Sequence, residues 1–184
     1  MPMEGVMSDH LQEAVKAVVN RFGAESREFR QQQTLVLAAD KLLDTMGFLR
    51  DTYQFNMLMD VTAVDYLGEE PRFHLVYQLY SLENQERLTL RVPVNGQAAH
   101  LPTVEGIFSG ANWYEREVLD LFGIQFDNHS DPRRIIMSAD WQGHPLRKDY
   151  PLGYEEVQFT FNFDEISLRK PKGKEFLSGD GGHD

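Results

Sequence analysis

An α+β fold is what this sequence predicts: an antiparallel sheet meander covered by helices on one face, with a long extended C-terminal arm. Three observations carry the prediction. Two segments near the N-terminus repeat apolar residues at helical spacing. Three later runs alternate apolar and polar residues and are joined by short turns. Beyond Asp127 the chain loses periodicity and becomes rich in Pro, Gly, Asp and His. With 184 residues the chain can build a true core, because a chain of about 150 residues already buries roughly two-thirds of the surface its unfolded form exposes.

Ser8 is placed to cap a first helix through Leu11, Val15, Val18, Val19 and Phe22, and Gly23 supplies its left-handed stop. SREFRQQQTLVLA reads as one or two short strands. Asp40 opens a second amphipathic helix whose inner face is Leu42, Leu43, Met46 and Leu49. In QFNMLMDVTAVDYL the inward set is Phe55, Met57, Met59, Val61 and Ala63. RFHLVYQLYSL follows with Phe73, Leu75, Tyr77 and Leu79, and RLTLRVPV with Leu88, Leu90, Val92 and Val94. Pro93 cannot donate to a ladder, which puts that strand at an edge or ends it there.

Pro102 and Thr103 begin another helical stretch, and Asn112 resets it with a capping-box spacing to Glu115. Tyr114, Val118, Leu121 and Phe122 form its apolar stripe, and Gly123 closes it. After this, RRIIM is the one short strand candidate before QFTFNF alternates again. The division expected is a flexible N-terminus (1–7), an α+β domain (8–126), an extended docking arm (127–176) and a disordered tail (177–184).

Composition narrows function by exclusion. A formal net charge of −11 argues against a nucleic-acid binder, which needs clustered cations for phosphate contacts. The absence of cysteine removes disulfides, thiol nucleophiles, cysteine-bound zinc and cysteine-held iron–sulfur clusters. Neither of the common glycine-rich nucleotide loops is present. No apolar run approaches the roughly 20 residues of a membrane span, and MPMEGVMSDH lacks the layout of a signal peptide. These readings place the chain in the cytoplasm or on the cytoplasmic face of a larger body.

His129, Asp131, Asp140, His144 and Asp149 are metal-ligand types close in sequence, yet none has the helical spacing that fixes two ligands on one face. A metal-dependent hydrolase using His129, His144 and a nearby Asp is therefore the remote alternative. Glu115, Glu117 and Asp120 could serve as paired carboxylates, but Arg116 lies among them. Ion pairs with Arg133 and Arg134 are the expected use. The stretch DWQGHPLRKDYPL combines Trp141, Tyr150 and Leu152 with the charges of Asp140, Arg147, Lys148 and Asp149, stiffened by Pro145 and Pro151. Trp, Tyr and Arg are the types most enriched at binding hot spots, so this loop is expected to dock on another polypeptide rather than fold back on its own domain.

NWYEREVLDLFGIQFDNH followed by DPRRIIMSADWQGHPLRKDYPL resembles the signature region of the 30-kilodalton subunit family of respiratory complex I, whose bacterial members are the C-type subunits of proton-translocating NADH:quinone oxidoreductase. The likeness runs through Glu115, Arg116, Glu117, Asp120 to Ile124, His129, Arg133 to Ile135, and Gly143 to Leu152. It extends from about residue 10 to 155. One departure is visible: the family usually has proline directly after the histidine and leucine before the arginine pair, whereas here the order is His129-Ser130-Asp131-Pro132-Arg133-Arg134. The resemblance implies a non-catalytic peripheral-arm subunit that docks on the 49-kilodalton-type subunit near the quinone module. It also implies no cofactor in this chain, with FMN, iron–sulfur clusters and quinone in partner subunits. Membrane association would come only through the complex, on the cytoplasmic face of the inner membrane. The equivalent subunit of a related energy-converting hydrogenase, or of a ferredoxin or quinone oxidoreductase, is the alternative.

Overall fold

The computed structural model describes residues 8–96 and 99–151. The expectations for the N-terminal seven residues, for Leu152, for QFTFNF and for the tail lie outside that range.

Helix α1 (Asp9–Phe22) starts where Ser8 accepts the Leu11 N–H at 3.1 Å and ends at Gly23, φ 70°, a conformation that costs glycine nothing. Strands β1 (Glu25–Phe29) and β2 (Gln32–Val36) form a hairpin. After a single 3₁₀ turn over Ala39–Lys41 comes α2 (Leu42–Tyr53), then β3 (Met57–Asp65), β4 (Phe73–Ser81) and β5 (Glu86–Val94). Strand β6 (His100–Pro102), α3 (Ala111–Phe122) and β7 (Gln125–Asp127) complete the described elements.

The five-stranded sheet has the order β1-β2-β5-β4-β3. Strands β3, β4 and β5 are the expected antiparallel meander, but β5 pairs with β2 in parallel. The sheet is thus mixed. Helix α2 carries the chain from β2 to the far edge, and the meander walks back until β5 lies beside β2. Phe73, Leu75, Tyr77 and Leu79 of β4 and Leu88, Leu90 and Val92 of β5 are fully buried. One apolar cluster joins them to Val15 and Val18 of α1, Met46 and Leu49 of α2, and Val118 and Phe122 of α3.

Several expectations are corrected. Strand β5 is interior rather than an edge, while the other half of that expectation holds, since the strand ends one residue after Pro93, at Val94. Pro93 is tolerated because β2 stops at Val36, opposite Arg91, with the Leu37 N–H as its last bond, so no neighbour on that side requires the missing donor. Met57 and Met59 face solvent. The register shifts between Leu58 and Asp60, and this bulge makes Leu58 the residue that packs on the core. Leu43 is exposed, and the α-helix begins at Leu42 without a side-chain cap rather than at Asp40. Pro102 ends a strand that pairs with β7 instead of starting a helix. Helix α3 is preceded by Gly110, so Asn112 is no cap, and Glu115 turns into the core rather than back along its own helix.

Candidate functional site

The residues singled out in sequence converge on one place: helix α3 and the segment 128–151 that crosses it. The described part of the expected arm is a strap on its own domain, and its charged groups do the fastening.

Asp120 is the centre. Its carboxylate is fully buried. It accepts from Arg134 Nη1 at 2.6 Å and from the backbone N–H groups of Ile135, Ile136 and Met137 at 3.1, 2.8 and 2.8 Å. RRIIM is therefore not a strand: the N–H groups a ladder would use are spent on a single carboxylate. Burial pushes the Asp120 carboxyl up, but the N–H groups of Met137 and Ile136, the Arg134 guanidinium and the Ile135 N–H together hold it below its ordinary value. Arg134 also donates to the Gly143 carbonyl at 3.1 Å, tying the outgoing and returning limbs of the strap.

At the start of α3, Arg116 donates to the carbonyls of Arg133 and Arg134, and its guanidinium stands 5.3 Å from the centre of the Trp113 ring. Asp131 grips Arg133 bidentately at 2.6 and 2.7 Å, which lowers its carboxyl to about 2. His129 donates from Nε2 to the Asn112 carbonyl and accepts the Asp131 N–H at Nδ1, a pairing that fixes its tautomer. Glu115, fully buried, accepts from the Thr103 hydroxyl at 2.5 Å and the Val104 N–H at 2.8 Å. Burial raises its pKa against those two bonds. Glu117 is exposed, as are Asp140 and Lys148.

At the other end of α3, His144 donates from Nδ1 to the Asp120 carbonyl at 2.9 Å, and the Leu146 N–H donates to the Leu121 carbonyl. Arg147 donates to the Phe122 carbonyl at 2.5 Å and lies over the Phe73 ring. These three contacts satisfy carbonyls that a helix C-terminus otherwise leaves open. Burial, with Arg147 and Arg134 nearby, lowers the His144 pKa against the pull of the Asp120 carbonyl. Gly123 has φ 71°, and a Cβ there would strike the His144 ring and come within 2.8 Å of Arg147, so glycine is required twice over at this crossing. Pro145 and Tyr150 are half-buried along the same path.

Sequence reasoning missed the last fastening. Asp65, at the end of β3, is buried and accepts both Nε and Nη2 of Arg72 at 2.8 Å together with the Lys148 N–H at 2.8 Å. Arg72 continues to Asp149 at 2.8 and 2.9 Å. The clue was available: Val61, Ala63 and Asp65 share the inward phase of one strand, and an acid there must find a cation.

His129 and His144 lie at opposite ends of α3, each committed to a backbone carbonyl. The pairing of the two that the remote metal-site alternative required is not formed, and no group of three or more metal-ligating side chains occurs among the described residues. Arg147 and Asp149, expected to offer charge to a second polypeptide, are bound within the chain. What this arrangement does chemically is hold backbone in place.

The family model described as "Respiratory-chain NADH dehydrogenase, 30 Kd subunit" matches residues 35–156. The C-type subunit of NADH-quinone oxidoreductase from Roseiflexus sp. strain RS-1 is 47% identical over 152 residues, covering 82% of this chain and 87% of that one. Its counterpart in Geobacter sulfurreducens is 50% identical over 143 residues, 76% and 88% of the respective chains. Among solved structures, the trypsin-resistant fragment of Nqo5 superposes with a TM-score of 0.62 at 31% identity, covering 66% of this chain and 98% of that one. A chain of the archaeal membrane-bound sulfane sulfur reductase gives 0.63 at 23% identity over 96% and 97%, which speaks for the fold alone.

Proposed function

The chain belongs to the 30-kilodalton subunit family of respiratory-chain NADH dehydrogenases, and from that premise we propose that it is the non-catalytic assembly subunit that docks on the 49-kilodalton-type subunit beside the quinone module. It is a subunit of an NADH-quinone oxidoreductase assembly of the complex I type. No helix of the described residues is long and apolar enough to cross a membrane, in keeping with a peripheral position. In this reading the chain carries no cofactor of its own. FMN, iron–sulfur clusters and quinone reside in partner subunits, on the cytoplasmic face of the inner membrane.

The observation that carries the reading is how the family-signature residues are used. Asp120, Arg116, Arg134, His144 and Arg147 all bind backbone or one another. A signature spent on holding one segment across one helix preserves a shape, and a preserved shape serves recognition. By contributing a rigid face, the chain keeps the redox subunits in a fixed relation, where small displacements are costly to the reaction.

The test is purification of a tagged copy from its own membranes. The expected result is recovery in equal stoichiometry with the 49-kilodalton-type subunit and with subunits that bind NADH and flavin. Recovery with hydrogenase-type subunits and no NADH-binding module would favour the related-machine alternative, and recovery of the chain alone would overturn the proposal.

A further inference from the structure

Helices α1, α2 and α3 all join the apolar cluster on one face of the five-stranded sheet. The alternate side chains of the strands point to the other face, and the apolar ones among them, Val36, Val64 and Val76, stay outside that cluster. On this second face the register sets Val36, Arg91 and Val76 in one cross-strand row and Pro93, His74 and Val64 in the next. Arg91 is therefore half-buried between two valines. Its guanidinium reaches Tyr66, whose hydroxyl accepts from Nη1 at 3.4 Å, and the Tyr66 ring meets the His74 ring edge-on at 5.0 Å. Arg91 Nε and His74 Nδ1 are both shut off from solvent and have no hydrogen-bond partner among the described residues.

Arg91 breaks a rule that the rest of the molecule keeps. Every other half-buried or buried arginine among the described residues donates to a carboxylate or a backbone carbonyl: Arg50 to Ile107, Arg72 to Asp65, Arg116 to Arg133, Arg134 to Asp120 and Arg147 to Phe122. A charge drawn out of water requires such a partner, and a neutral hydroxyl at 3.4 Å is a poor one. We propose that Arg91, with Tyr66 and His74, forms a binding site for one carboxylate group, carried by a molecule or segment outside the described residues. Arg72 shows the mode in this same chain: its Nε and Nη2 together grip the two oxygens of Asp65 at 2.8 Å. Nε of Arg91, half of the same fork, is the orphaned donor. The flexible arginine stem lets the guanidinium swing off its long contact with Tyr66 to meet an incoming carboxylate.

The charges around the site select a carboxylate over a phosphate. Arg27 acts on His74, but Glu25 engages its guanidinium at 3.0 and 3.1 Å. Glu69 also acts on His74 and forms no ion pair with Arg91. Burial, with Arg91 and Arg27, holds the His74 pKa below its ordinary value, so at neutral pH the ring offers a hydrogen bond and not a second charge. Arg91 is then the single cation of the site without an acid among the described residues. One guanidinium fork matches one carboxylate, whereas a phosphate dianion calls for a second cation.

The test is NMR of the full-length chain with labelled arginine and histidine side chains, titrated with sodium acetate and, at equal ionic strength, with sodium chloride, so that general screening is the same in both. Acetate is expected to shift the Arg91 Nε–H and the His74 ring along one saturating curve. It should also raise the His74 pKa, because a nearby anion favours the charged imidazole. Arg87, exposed on the same strand, should not follow that curve. Arg91→Gln should abolish both effects and the milder Tyr66→Phe should weaken them, with the backbone spectrum otherwise unchanged. A further variant has every Asp and Glu after Pro151 changed to Asn or Gln. A response in the unmodified chain assigns the carboxylate to a separate molecule, and a response in that variant alone assigns it to the chain's own C-terminal acids; either supports the site. If neither responds, or if Arg87 moves as Arg91 does, the site does not exist. A saturating response to inorganic phosphate stronger than that to acetate would overturn the choice of carboxylate.

Discussion

The layered domain and the strap obey opposite rules. In the layers, Leu75, Tyr77, Leu88 and Leu90 face in, and Gln78 and Thr89 of the same strands face out. In the strap, Arg134, His144 and Arg147 face in, and Ile136, Trp141 and Leu146 face out. The layers are held by burial, which is non-directional and spread over many atoms. The strap is held by a few directional bonds to Asp120, Arg116, Arg72 and the end of α3. A region of the first kind answers to changes of volume. One of the second kind answers to loss of a single donor or acceptor, and to pH.

The largest effects should separate the regions. Asp120→Ala leaves Arg134 and three N–H groups without their acceptor, and removing one partner of a buried pair costs about 3–5 kcal/mol. The expected outcome is a strap open to trypsin at Arg133, Arg134, Arg147 and Lys148, with the main unfolding transition of the domain retained. Leu90→Ala should lose about 2–5 kcal/mol from that main transition and leave the strap protected until the domain itself melts. If both variants give one indistinguishable global transition, the two regions are a single cooperative unit and the contrast fails.

Arg72→Gln sharpens the comparison within the strap. It removes the bridge between Asp65 and Asp149, worth about 1.5–3 kcal/mol for charge-assisted bonds. Proteolysis should then begin at Lys148 while Arg133 and Arg134 stay protected. Simultaneous cleavage at both ends would show that the strap has no independent fastenings.

Acid should release the strap ahead of the layers. Asp120, Asp65 and Asp149 have lowered pKa values and Asp131 is held at about 2. A lowered carboxyl contributes stability that is present above its ordinary value, near 3.8 for aspartate, and lost as pH falls through its native value. Proteolysis by an acid protease should therefore expose the strap on descending from about pH 4 towards pH 2, as these carboxyls protonate.

Glu115 has the reverse sign. Its raised pKa means that its contribution is complete below the ordinary glutamate value and is lost as pH rises through the native one. Glu115→Gln keeps an acceptor for Thr103 or Val104 and should change stability at neutral pH by no more than about 1 kcal/mol, while flattening that part of the pH profile. This is the smallest effect of the set, and a loss several times larger would show that the ionised carboxylate is structurally required.

Much of this organisation was legible in the sequence. Alternation gave the inward faces of β4 and β5 correctly, and Ser8, Gly23 and Gly123 marked helix ends that the structure contains. The misses have local causes. A one-residue bulge at Met59 reversed the phase of the first residues of β3, while Val61 and Ala63 stay inward as expected, and a parallel neighbour that ends early let Pro93 sit near the end of an interior strand. The site residues were identified by type and by resemblance, but their direction was not. Whether Arg147 faces a partner or its own helix depends on carbonyls at the end of α3, and no pattern in a linear sequence displays those. Arg72 was invisible for a similar reason, since its importance comes from two acids, Asp65 and Asp149, that only the fold brings together.

Amide hydrogen exchange at Ile135, Ile136 and Met137 in the purified full-length chain tests the self-fastened strap most directly. Slow exchange without any partner subunit, accelerated to unstructured rates by Asp120→Ala alone, is the expected result. Exchange in the unmodified chain as fast as in an unstructured peptide would contradict it, because the strap would then take its form only from the assembly around it.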